Sequence, residues 1–169
     1  WSSDVCSSDL SVALHSQLPP DPHTISRELG RGSLAHIISL HRLRALWESV
    51  ATHPEAALKQ QLWADLLARV YGAPTDNIDL FLQHTYLTLV AKVMATRALG
   101  VALPEPSALL SGQAFEQAGI TGAVESDFFD WVLTAAGGDD LVKQLATSVS
   151  RFRLDQVEHD LLKRLYESL

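Results

Sequence analysis

With 169 residues, 47% of them hydrophobic and 20% charged, the chain holds enough apolar material for one domain with a real core, which excludes a disordered or fibrous protein. The formal charge of −7 would repel a polyanion if spread evenly, but residues 11–47 carry four arginines against two carboxylates, whereas residues 105–169 carry five basic against eleven acidic side chains. A lone cysteine, Cys6, excludes an intramolecular disulfide, and no run of about 18 uncharged apolar residues is present to span a membrane, so the expected setting is the cytoplasm.

Residues 1–10 repeat a Ser-Ser-Asp unit and differ in character from everything after them. They resemble a translated sequencing adapter and are set aside as a non-native leader. Pro19, Pro20 and Pro22 fix φ and remove backbone donors, so residues 11–23 read as an extended linker. One or two helical turns from Thr24 to Leu29 stop at Gly30, and Ser33 caps a longer helix with Leu40, Leu43, Trp47 and Val50 on one face. His53-Pro54 ends it and Pro54 opens the next, which runs to about Tyr71 and closes at Gly72. Leu58, Leu62, Leu66 and Val70 form its stripe, and these two helices are expected to pair as an antiparallel hairpin.

Thr75-Asp76-Asn77 offers caps for the longest segment, about Asn77 to Leu99, closed by Gly100. It is apolar on nearly every side, as a helix surrounded by others must be, and is expected at the centre of the bundle. Residues 101–110 read as a connector, followed by a short helix from Ser111 to Gly119. A second covers 125–133 with Phe128, Trp131 and Val132 as anchors, and a flexible loop, Thr134 to Asp139, contains Gly137-Gly138. Asp139 or Asp140 should cap the penultimate helix, to about Arg151, and Asp155 the last, with Glu158 at the capping-box offset. No segment alternates long enough to argue for a sheet, so the expected fold is all-α, an irregular bundle of about six to eight helices.

Few residues suggest chemistry. His36 and His41 are five apart and diverge on a helix, and Glu158-His159-Asp160 point in three directions, so no zinc-type ligand pair is predicted. No Gly-x-Ser-x-Gly elbow or glycine-rich nucleotide turn is present, leaving no catalytic or cofactor constellation. Asp127 and Asp130, at i and i+3, are a paired-carboxylate candidate, though helix surfaces often carry such pairs. His84 lies between Phe81 and Leu87. It reads first as a core histidine bonded to a backbone carbonyl; the sharper reading makes His84 and Thr85 polar pins between helices.

His84-Thr85-Tyr86-Leu87, then Leu110-Ser111-Gly112-Gln113-Ala114-Phe115, then Asp127-Phe128-Phe129-Asp130-Trp131 follow one another in an order that resembles a known arrangement. Together with the run from Asp160 to Leu169, they resemble the helical region that precedes the catalytic domain in adenine-specific (N6) DNA methyltransferases of restriction-modification systems. The resemblance spans residues 24–169. It implies an S-adenosylmethionine-dependent parent enzyme whose catalytic domain lies beyond Leu169. Neither a donor-binding glycine loop nor an Asn-Pro-Pro-Tyr or Asp-Pro-Pro-Tyr tetrapeptide, which such an enzyme needs for a flipped adenine, occurs here, so this piece is expected to be inactive alone.

The implied role is a scaffold that braces the catalytic domain, with duplex DNA as the partner of the whole. Arg27, Arg31, Arg42 and Arg44, and to a lesser degree Arg151 and Arg153, are the candidates to neutralise DNA phosphates without sequence choice. The competing reading is a helical protein-interaction module with no DNA role, which the acidic C-terminal half would suit.

Overall fold

Asp21 starts the first helix. Its carboxylate accepts from the Thr24 backbone N–H at 2.9 Å; hydrogen bonding from the Thr24 side chain first, and from this N–H second, holds the Asp21 pKa below the usual value, and Pro22 fills the first turn, where its missing N–H costs nothing. The computed structural model describes residues 18–72, 77–100, 102–117, 119–120 and 126–154. The leader 1–10 and the terminal helix expected from Asp155 lie outside these. In order come α1 (Pro22–Leu29), α2 (Leu34–Val50), α3 (Pro54–Tyr71), α4 (Ile78–Ala98), α5 (Pro106–Ser111), α6 (Gln113–Gln117), a 3₁₀ helix η1 (Phe128–Thr134) and α7 (Gly138–Ser150). The described residues form an all-α bundle. Their one extended pairing is an isolated parallel bridge between Leu18 and Phe152, so the linker read over 11–23 ends in a helix at Pro22.

α4 is the centre. Asn77 caps it by accepting from the Leu80 N–H at 3.0 Å, and Phe81, Tyr86, Leu89, Val90 and Val93 are buried against α2, α5, η1 and α7, while His84, Leu87 and Ala91 on the opposite face are partly exposed. Phe81 anchors an aromatic cluster: Trp47 meets it edge-on at 5.3 Å, Trp63 packs tilted against it at 5.1 Å, and Trp131 stacks at 6.0 Å. Such pairs add to the area they bury because positive ring edges meet negative faces.

α3 departs from expectation. Leu58, Leu62, Leu66 and Val70 are 54, 46, 47 and 66% exposed, while Ala56 and Trp63 carry the buried face. The extended contact of α3 is with η1, and none of similar extent joins it to α2, so the two do not form a hairpin along their lengths. Trp63 decides this: the largest side chain of the helix takes the core position, and Leu58, Leu62 and Leu66 lie about 60–140° round the axis from it.

The second half is more finely divided than its sequence suggests. The connector read over 101–110 already contains α5, begun by Pro106, and the helix expected from Ser111 is split by Gly112 at φ +83° into α5 and α6. The segment around Trp131 is a 3₁₀ helix rather than an α-helix. Asp127 caps it by accepting from the Phe129 N–H at 2.8 Å. The expected loop at Thr134 to Asp139 is a tight turn: Gly137, at φ +89°, caps α7 in place of Asp139 or Asp140, and Gly138 is buried against η1.

Candidate functional site

Three of the six candidate arginines meet on one side of the bundle. Arg27 comes from the last turn of α1, Arg42 from the middle of α2 and Arg151 from the end of α7. Glu28 joins two of them, at 3.0 Å from Arg27 Nε and 3.6 Å from Arg151 Nη1, and Arg42 donates to the Gln144 side chain on α7. Arg27, Arg151 and Gln144 rim a groove of about 380 Å³ between α1, α2 and α7, floored by Leu29, Ala35 and Leu145. Two guanidiniums share a single carboxylate, and Gln144 offers Arg42 no charge, so the rim is net positive.

Arg42 reaches the rim only through Gln144, and the other three arginines do not line the groove either. Arg44 pairs with Asp79 at the start of α4. Arg31 is exposed at the α1–α2 corner, and Arg153 is exposed where its backbone N–H donates to the Leu18 carbonyl at 3.2 Å. Glu28 and Gln144 were not among the candidates read from sequence; an acid beside Arg27 was visible there, but nothing local marks Gln144.

The paired carboxylates are staples. Lys59 of α3 reaches Asp130 at 2.5 Å and Glu55 at 3.0 Å, and Ser126 also donates to Asp130 at 2.5 Å. Burial lowers the Lys59 pKa, but its hydrogen bonds and charge contacts with Asp130 and Glu55 outweigh this and hold it above the ordinary value. Lys92 of α4, 7% exposed, bonds Asp127 and the Leu110 carbonyl, both at 2.8 Å. Each acid thus ties η1 to a different helix, which leaves neither a free proton acceptor. Among the described residues no cluster of three His, Cys, Asp or Glu side chains is arranged to hold a metal.

His84 and Thr85 both receive indoles. Trp63 Nε1 donates to His84 Nδ1 at 3.2 Å, and Trp131 Nε1 donates to the Thr85 hydroxyl at 3.1 Å, which in turn donates to the Phe81 carbonyl at 2.9 Å. These bonds connect α3 and η1 to the central helix. His36 sits at the other end of the bundle, where the Gly32 N–H donates to its Nδ1 at 3.4 Å and its ring meets Tyr86 edge-on. The Tyr86 hydroxyl donates to the Leu29 carbonyl at 2.6 Å, and burial pushes its pKa up.

Burial pushes both histidines below their ordinary pKa, and at His36 the Arg31 charge adds to it. Each therefore binds a proton more weakly folded than unfolded. Stability from this source is complete above about pH 6.5 and is lost as pH falls below it toward the folded pKa. Urea unfolding followed by tryptophan fluorescence should give a constant free energy between about pH 7 and 8, and a falling one below about 6.5. A His84→Phe variant should show a shallower fall; identical slopes for the two proteins would exclude His84 from the effect.

No helix among the described residues is long and apolar enough to cross a membrane. No family model, curated protein or solved structure matches the chain.

Proposed function

We propose that the chain is the helical accessory region of an S-adenosylmethionine-dependent DNA adenine-N6 methyltransferase of a restriction-modification system. In this role it braces the catalytic domain and adds sequence-independent contacts to DNA phosphates. The observation that carries the DNA part is the gathering of Arg27, Arg42 and Arg151 from three helices onto one side of the bundle. Guanidinium forks suit phosphate oxygens, and a rim with more guanidiniums than carboxylates has capacity left for them. The bracing part is supported by the leucine row of α3, an apolar face on a helix already packed on its other side.

The described residues do not fit the methyl donor. A donor site of this class uses a glycine-rich turn after a strand, whereas the positive-φ glycines here, such as Gly72 and Gly112, close helices and no strand is present among those residues. Donor and target base therefore belong to the parent's catalytic domain, and no step of methyl transfer is assigned to this chain.

The test is binding to a short duplex at two salt concentrations. Three neutralised phosphates give a slope of about −2.7 in log affinity against log salt, so raising salt from about 50 to about 200 mM should weaken binding roughly 40-fold. The triple variant Arg27→Gln, Arg42→Gln, Arg151→Gln should lose most of that dependence. Equal slopes for the variant and the wild type would remove these arginines from DNA contact. The second reading, a protein-interaction module without a DNA role, is favoured by the same exposed α3 leucines, and it gains if no duplex binding is detected at the lower salt.

A further inference from the structure

The groove beside α2 has a second property that phosphate contact does not use. Leu34, Ile37 and Ile38, on the first turns of α2, are 73, 55 and 39% exposed. Leu34 and Ile38 form the groove's wall, so the apolar surface continues from its floor out past its rim. That surface is aliphatic throughout. A platform for nucleobases stacks them on aromatic rings, and none lines this groove.

We infer that this groove docks an acidic amphipathic helix of a partner protein, an inference that goes beyond the DNA-contact reading and does not depend on it. The groove is enclosed by three helices, and on one of them Leu34 and Ile38 stand at i and i+4, the spacing that interdigitates with leucines at i, i+3 or i+4 and i+7 of an incoming helix. Charge complementarity selects the partner. Arg27 and Arg151, both 56% exposed at the side chain, flank the apolar wall and share only Glu28. A helix carrying leucines on one face and Asp or Glu beside them places its carboxylates within reach of both guanidiniums as its leucines cover Leu34 and Ile38. A basic helix would instead set like charges together at the rim.

The experiment uses the full chain and a synthetic peptide of three Leu-Glu-Glu-Leu-Leu-Glu-Glu repeats, with the Lys-for-Glu peptide as its counterpart. The acidic peptide should bind saturably and the basic one should not. Two variants separate the contributions: Leu34→Gln with Ile38→Gln, and Arg27→Glu with Arg151→Glu, both at exposed positions and both checked for retained helicity. Each pair should weaken the acidic peptide by about tenfold or more, and the arginine reversal should shift preference toward the basic peptide. Duplex binding should survive the Leu34→Gln and Ile38→Gln changes, so loss of one activity is distinguishable from loss of the other. Equal binding of both peptides, no binding of the acidic one, or unchanged affinity in both variants would overturn the docking site.

Discussion

Replacing Gly138 with alanine should destabilise the fold by about 3 kcal/mol, at the top of the range for forcing one extra methyl into a packed interior. A Cβ at this position would overlap the Val132 carbonyl oxygen and crowd the Val132 carbonyl carbon, both backbone atoms of η1. No side chain is available to swing aside. Val132 is fully buried, and η1 is tied to α3 through Asp130 and to α4 through Asp127 and Trp131, so the start of α7 must move instead. That movement disturbs Leu141, Val142 and Leu145, which α7 buries in the core. For a domain of this size the midpoint of thermal unfolding should drop by about 10 °C. Gly137→Ala should cost less, on the order of 1–2 kcal/mol, because its φ of +89° is strained for alanine while its surroundings are open apart from Leu46 at 4.0 Å. A Gly138→Ala protein that melts with the wild type would show that α7 does not start against the Val132 carbonyl.

This pair of glycines also marks where sequence stops being sufficient. Gly137-Gly138 reads locally as a flexible loop, since nothing within a few residues records that a carbonyl of the preceding helix will press on it. α4 was legible because its signals are local: Asn77 caps one end, Gly100 follows the other, and apolar residues on every side describe a helix that must be enclosed. The leucine row of α3 carries an equally clear period, but a period identifies a face without saying what covers it. Trp63 on the neighbouring row was the better guide, because an indole needs both a large pocket and an acceptor, and α4 supplies both with Phe81 and His84. The arginines divide for a related reason. Composition located the basic early helices, yet only the packing of α7 against α2 sets Arg151 and Gln144 beside Arg27 and Arg42, while Arg44 turns to Asp79.

Lys92 gives the second large effect, and a double-mutant cycle with Asp127 isolates its cause. Its ammonium is a buried charge whose hydrogen bonds run to Asp127 on the η1 cap and to the last turn of α5 at Leu110, so one side chain fixes two elements against the central helix. Lys92→Met keeps the apolar stem but leaves the Leu110 carbonyl without this donor and the Asp127 carboxylate without this cation. Breaking a fully buried pair costs roughly 3–5 kcal/mol; because the Asp127 side chain is 29% exposed, water takes over part of the loss, and about 2–3 kcal/mol is expected. Asp127→Asn retains an oxygen able to cap Phe129 but leaves the Lys92 charge facing a neutral amide in an enclosed site, so its cost should be similar. The two changes together should cost less than their sum by about 1 kcal/mol or more, the coupling expected of groups in direct contact. Urea unfolding of the four proteins measures this directly. Strict additivity would mean that Lys92 and Asp127 stabilise the bundle independently, and that η1 is held through Asp130 and Trp131 without help from this pair.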